Sequence, residues 1–243
     1  MKKQLVHLVL IAACISFLSG AAPAYWVQTP DLSADSMDVN AWHIPWVAGT
    51  TILGDDFVVT KAMDVETIIL WGGMKNDVGS ASDFSIGIST DNGGQPGTSA
   101  GSSSVTVTTT TYAEGLAAGW VNPNTEYYEY IPAADTICYQ WELTLDTPIS
   151  LTPGCYWFTV TIRSLNDVGN AGWKTSADAS GSGALFKGAD SGGWFDFQSL
   201  TYPAGHSDEG EAVSLAFAII PEPTTVALLA AGGFLGLLRR RSR

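Results

Sequence analysis

A serine or cysteine nucleophile needs a base beside it, and that base is most often histidine. Downstream of residue 24 the sequence offers two, His43 and His206. Neither accompanies a G-x-S-x-G or H-E-x-x-H pattern, the spacings that expose a nucleophile on an elbow or set two imidazoles on one helix face. His43, between Trp42 and Pro45, and His206, in a Gly-Ser-Asp loop, therefore read as packed or surface residues. Carboxylates pair at Asp55-Asp56 and at Glu209 with Glu211. Glycoside hydrolysis needs two such groups facing each other across a sugar, about 5–10 Å apart. Neighbouring residues of a strand point to opposite faces, so Asp55 and Asp56 cannot both line one pocket. One of them is expected to cap a turn or steady a loop ahead of Phe57–Thr60. No catalytic residue is assigned.

Metal chemistry is similarly sparse. Transition-metal sites want more His and Cys than this chain supplies, and no metal ligand is assigned. Oxygen-rich loops at Asp91-Asn92 and at Asp208, Glu209 and Glu211 could offer hard donors to a structural calcium ion, but neither has the spaced loop of a dedicated calcium site. Tryptophan, with 9 copies, is the more suggestive residue. Sugar-binding surfaces stack pyranose rings on exposed aromatic faces. Trp120, Trp173 and Trp194 stand beside glycine in loop-like sequence, and are the candidate ligand platforms. Trp141 and Trp157 lie in alternating runs and read as core or sheet surface.

The elements that must position these residues read as strands. Short alternating or apolar runs recur near 52–60, 67–71, 84–89, 105–112, 137–145, 156–162, 171–175, 184–186, 194–198 and 213–219, separated by turn signals such as Asp91-Asn92-Gly93-Gly94 and Thr152-Pro153-Gly154. In the run 137–145, Ile137, Tyr139, Trp141, Leu143 and Leu145 alternate with Cys138, Gln140, Glu142 and Thr144, which predicts one buried face. About ten short strands with no long 3.6-residue period predict an all-β fold: a single antiparallel β-sandwich over 25–220, jelly-roll-like, without internal repeat or linker. If 137–145 and 156–162 form a simple hairpin, Cys138 and Cys155 are offset by about 23 Å along the strands. That exceeds the ~7 Å Cα separation a disulfide spans, so a bridge between them requires a bend or non-adjacent strands.

Charge and the chain ends set the compartment. Net charge is −13 with 14% charged residues. Residues 25–220 hold five bases (Lys61, Lys75, Arg163, Lys174 and Lys187) against 23 acids, a formal charge of −18. Such a body repels phosphate backbones and excludes nucleic acid as a partner. Lys2 and Lys3, an apolar run from Leu5 to Leu18, and Ala22-Pro23-Ala24 have the three parts of a secretory signal peptide. Cleavage after Ala24 by signal peptidase, following passage through the Sec translocon, leaves a chain whose remaining cysteines are Cys138 and Cys155, an even pair that invites a disulfide in an oxidising compartment. Cys14, at the end of Ile11-Ala12-Ala13-Cys14, sits in mid-core of the apolar run, which disfavours a lipoprotein site.

At the other end, Pro221-Glu222-Pro223 precedes an apolar stretch from Val226 to Leu238, and Arg239, Arg240, Arg241 and Arg243 close the chain. The stretch is shorter than the ~20 residues that span a bilayer comfortably; snorkelling arginines extend it, and they favour a cytoplasmic C-terminus. Tripeptide, transmembrane helix and basic tail together over 221–243 resemble the PEP-CTERM sorting signal. The resemblance implies that exosortase, a membrane peptidase, recognises Pro221, Glu222 and Pro223 and removes the helix and tail, after transient anchoring in the inner membrane. It implies a host that exports exopolysaccharide, and a mature protein at the cell surface or in its matrix.

Pieces of the body also resemble a family of uncharacterised secreted bacterial domains: Trp26-Val27-Gln28, Leu53-Gly54-Asp55-Asp56-Phe57, Ile69-Leu70-Trp71-Gly72, Gly119-Trp120, Gly172-Trp173-Lys174-Thr175-Ser176, and Tyr202-Pro203 with His206. That likeness implies one exported domain and supplies no chemistry. The expected function is a non-catalytic structural or adhesive surface protein. A carbohydrate-binding module for extracellular polysaccharide is the alternative, and a secreted glycoside hydrolase a weaker one.

Overall fold

Period-two alternation and β-branched or aromatic residues carry most of the chain into strands. The computed structural model describes residues 26–41, 43–44, 49–123, 129–164, 171–178, 181–190, 193–194 and 196–221. The expected signal peptide (1–24), Glu222, Pro223, the apolar stretch and Arg239, Arg240, Arg241 and Arg243 lie outside them. In chain order the strands are β1 (Trp26–Gln28), β2 (Met37–Asn40), β3 (His43–Ile44), β4 (Gly49–Thr50), β5 (Ile52–Val59), β6 (Met63–Met74), β7 (Ala81–Asp91), β8 (Pro96–Gly101) and β9 (Val105–Asn122). They continue as β10 (Glu129–Leu151), β11 (Gly154–Ser164), β12 (Ala171–Lys174), β13 (Leu185–Lys187), β14 (Ala189–Asp190), β15 (Gly193–Trp194), β16 (Gln198–Ser199) and β17 (Phe217–Pro221). One 3₁₀ turn, Lys75–Asp77, follows β6. Among the described residues no helix is long and apolar enough to cross a membrane.

Two sheets carry the fold. One has the order β1-β17-β6-β10-β9-β2-β12, and the other β16-β13-β5-β11-β7-β8. Along the chain the pairs nest: β5 pairs β11 in one sheet, and inside that span β6 pairs β10 in the other. Inward side chains of both sheets form a common core. The Phe158 ring lies 5.4 Å from Trp173 and 5.5 Å from Phe217, and Phe57 lies 6.1 Å from Phe217. Leu53, Ile88 and Val160 from one sheet join Leu70, Leu143 and Ile219 from the other in the same cluster.

Three features depart from the expected sandwich. First, the pairing is not wholly antiparallel, because β2 runs parallel to β9, with Asp38 opposite Trp120. Second, β10 and β11 do not form a hairpin. They belong to opposite sheets, since Thr152-Pro153 carries the chain across the core edge. Third, β12 pairs with β2 on one side and with the end of β6 on the other. The strip β6-β10-β9-β2-β12 thereby closes on itself. The one-face pattern expected for 137–145 holds from Trp141 to Leu145 but breaks at a register shift between Cys138 and Tyr139. Cys138, on the opposite face from Trp141 by alternation, is buried in a second cluster with Trp71, Ala216 and Ala218.

Candidate functional site

Where β12 closes the strip, alternation splits neighbouring residues between two interiors. Trp173 enters the main core, so Lys174 points the other way; Met37 and Val39 enter the core, so Asp38 points with Lys174. Both Lys174 and Asp38 are fully buried, and Lys174 Nζ lies 2.7 Å from Asp38 Oδ2. They face each other directly in the β2–β12 ladder. Asp135, opposite Ala118 two residues from Trp120 on β9, is a third buried charge-bearing residue, also 0% exposed.

Glycine makes the room. A Cβ on Gly73 would fall 2.6 Å from Asp38 Oδ2, and one on Gly72 would fall 2.0 Å from the Gly172 carbonyl and 2.5 Å from the Trp141 ring. The turn after β6 covers the site. Asp77 accepts hydrogen bonds from the Thr136 amide (3.0 Å), the Thr136 hydroxyl (2.7 Å) and the Ile137 amide (3.1 Å). This pins Asn76 and Asp77 in the left-handed region, at φ 58° and 54°, a conformation that costs non-glycine residues free energy and persists where contacts hold it.

The electrostatics are unusual for a structural ion pair. Asp38 Oδ1 and both carboxyl oxygens of Asp135 are buried with no hydrogen-bond partner. Burial drives the Asp135 carboxyl up to about 8, and the nearby Asp38 charge adds to this, while Lys174 opposes it. The Asn76 amide eases the Asp135 charge slightly without reaching hydrogen-bonding geometry. Burial also pushes the Asp38 carboxyl up, against the pull of the Lys174 ammonium. The same burial lifts the Cys138 thiol to about 12, which leaves it inert as a nucleophile.

The residues expected from sequence fall elsewhere. Trp120 and Trp173 are both 0% exposed, so neither ring offers a face to a sugar. Trp173 instead donates its indole N–H to the Ala216 carbonyl at 2.7 Å, and the Trp120 indole nitrogen is buried without a partner. The Trp194 side chain and those of His43 and Trp42 lie outside the described residues. His206 is buried and stacked on Tyr202 with ring centroids 4.3 Å apart. Its Nδ1 accepts the Asp208 amide at 3.0 Å, so Nε2 carries the proton that it donates to the Asp35 carbonyl at 2.7 Å. Both nitrogens are committed to loop structure, and neither is free to act as a base.

Asp55 and Asp56 diverge as strand neighbours must. Asp55 accepts the Leu215 amide at 2.7 Å, while Asp56 accepts the Ser182 amide at 3.0 Å, so each fastens a different loop to β5. Burial raises the Asp55 carboxyl well above its ordinary range, and the Leu215 amide opposes that shift. Asp91 accepts the Trp157 indole N–H at 2.8 Å and the Gly94 amide at 3.0 Å. Among the described residues no group of three or more His, Cys, Asp or Glu side chains could hold a metal ion. Cys138 and Cys155 are free thiols, one buried and one exposed, on strands of opposite sheets. A cleft lined by Met74, Ala81, Thr109, Tyr139 and Trp141 contains no carboxylate, and an open groove beside Ser103 and Val105 contains only Asp83.

Among the described residues the geometry defines an all-β body with a buried ionic cluster and no assembled catalytic set. Residues 24–220 match a domain of unknown function, DUF7901, and the chain belongs to that family. Residues 220–242 match the PEP-CTERM protein-sorting motif, which implies export and association with the cell envelope. No curated protein and no solved structure matches the chain.

Proposed function

We propose that this chain is an exported, exosortase-processed protein of the cell surface or extracellular matrix, whose β-sandwich, jelly-roll-like in its nested pairing, is a non-catalytic structural or adhesive part. The observation that carries the reading is the junction of the two matches. Pro221, the first residue of the sorting tripeptide, is also the last residue of β17, paired with Val65 of β6. The domain match ends where the sorting match begins, so removal of the residues after Pro223 leaves every described strand in place. Residues 1–24 act in this reading as the signal peptide, taken by the Sec translocon and cleaved by signal peptidase. Val226–Leu238 is the transient inner-membrane helix, with the arginines held in the cytoplasm.

The structural or adhesive role draws on the core just described and on the absence of a catalytic family among the matches. The surface partner in this reading is extracellular polysaccharide. The test changes Glu222 and Pro223 to Ala, which leaves Pro221 and β17 intact, in the native host. The expected result is a full-length chain retained in the inner-membrane fraction, against a shortened, surface-associated native chain. Unchanged processing overturns the exosortase assignment. Release of shorter sugars from the host's own polysaccharide by the purified protein overturns the non-catalytic one.

A further inference from the structure

Two fully buried groups of complementary reactivity, an amine and a carboxyl, lie 2.7 Å apart in the closed end of the molecule, with a second buried carboxyl that feels both charges and whose oxygens make no hydrogen bond of good geometry. As an ion pair this arrangement is a poor solution. Taking two ions out of water is costly, and their attraction offsets that only when the remaining lone pairs are satisfied. Here Asp38 Oδ1 and both oxygens of Asp135 are unsatisfied.

We infer that Lys174 and Asp38 are joined by an intramolecular amide bond, formed by the folded chain itself with Asp135 as the acid that assists. The chemistry balances without any added reactant. In the first step a proton passes from Lys174 Nζ to the Asp38 carboxylate, whose proton affinity burial raises, giving a neutral amine and a neutral acid. Lys174 Nζ attacks the Asp38 carboxyl carbon while Asp135, neutral near physiological pH, donates its proton to the carbonyl oxygen. Collapse of the tetrahedral adduct breaks the C–OH bond. The hydroxyl leaves as water with a proton from nitrogen, and Asp135 recovers its own proton. One C–N bond replaces one C–O bond, one water is lost, and no redox change occurs. Proximity supplies the advantage: two reactants held in contact convert a bimolecular condensation into a unimolecular one.

The product replaces a buried charge pair with a neutral amide, whose oxygen is an acceptor for the Asp135 O–H. The bond would tie β2 to β12, the shortest strands of the closed strip at four residues each, where the ladder alone is weakest.

The test is peptide mapping of the full chain as isolated from its host, after denaturation and reduction. The expected result is a branched peptide containing Lys174 and Asp38, one water lighter than the sum of its parts, with no protease cleavage after Lys174. Peptides of full mass, cleaved at Lys174, overturn the proposal. Lys174→Arg keeps the charge but cannot form the bond, and should abolish the mass deficit. Asp135→Asn keeps the size and both reacting partners, and should also leave the peptides unlinked; a linked Asp135→Asn chain overturns the role given to Asp135. Because masses are read on unfolded protein, the result stands even if a variant folds poorly.

Discussion

The main core and the closed end stand back to back on the same strands. β12 sends Trp173 into one and Lys174 into the other; β2 sends Met37 and Val39 into one and Asp38 into the other. The main core is apolar, built from interlocking rings and branched aliphatics contributed by both sheets. Its stability is a sum of many small contacts, so it tolerates modest change in proportion to the volume altered. The closed end holds few residues, three of them ionisable and fully buried. Its energetics turn on whether each polar atom is matched, and the low dielectric makes both the match and its loss expensive. Strand alternation delivers both interiors with the same backbone geometry. What separates them is the chemistry of alternate side chains.

The largest expected effect comes from breaking the apolar side. Trp173→Ala removes the ring that contacts Phe158 and Phe217 and leaves the Ala216 carbonyl without its indole donor. The expected cost is about 3–5 kcal/mol, the usual range for emptying a large buried aromatic position. Denaturant melts of the native and variant chains check it; a cost under about 1 kcal/mol would mean that the two sheets do not share this core.

A smaller, oppositely patterned effect belongs to the closed end. The Asp135 carboxyl, ordinarily near 3.8, holds its proton to about 8 in the folded chain. Between those values the folded state binds more protons than the unfolded one, so stability falls as pH rises. The contribution is fully present below the unfolded value and is lost as pH passes the folded one. Asp135→Asn cannot ionise, and the difference between native and variant melts should change by at least about 1–3 kcal/mol across pH 4–8, the cost scale of a buried unmatched polar group. Taking the difference removes the opposite trend from Asp91 and Asp178, whose carboxyls are lowered by hydrogen bonds from Trp157 and Thr29 respectively. A flat difference would place Asp135 in contact with water. The direction holds with or without the Lys174–Asp38 bond, because burial is the main cause.

The apolar side was legible in the sequence and the polar side was not, for a physical reason. Runs around Trp141-Glu142-Leu143-Thr144-Leu145 and Tyr156–Ile162 show the alternation that a half-buried strand produces, and both are strands here. Met37-Asp38-Val39-Asn40 does alternate, but over four residues only, too short a run to mark a strand by itself, and all four are buried; β2 is therefore missing from the strands read in the sequence, together with Asp38. Pro96–Gly101, rich in Gly and Ser, pairs only at the sheet edge beside β7, where proline and glycine are tolerated. Asp135, within Ala133-Ala134-Asp135-Thr136, lies just ahead of the alternating run 137–145; it sits in β10 among register shifts near the positive φ of Ala133. Lys174 left one trace. A chain with five bases between residues 25 and 220 placed one of them in a strand-like segment next to tryptophan, where a solvated lysine has no reason to be. The tryptophans misled for the converse reason: glycine beside Trp120 and Trp173 suggested exposed loops, but Gly119 and Gly172 give way to the Tyr130 and Trp120 rings.

The smallest effect separates the two cysteines. Cys138 belongs to the small cluster with Trp71, Ala216 and Ala218, buried with its thiol pushed up to about 12, whereas Cys155 stands exposed on β11 opposite Val58, itself 39% exposed. A thiol-reactive reagent reacts through the thiolate and needs access, so native protein should be modified at Cys155 and protected at Cys138 until it unfolds. Mass mapping of the two peptides reads this directly. Cys155→Ser should then leave stability within about 0.5 kcal/mol of the native chain, as surface substitutions away from special features do. Protection of both thiols in the native protein, released only by reductant, would show a bridge across the two sheets. It would require β10 and β11 to approach each other on faces that the present packing turns apart.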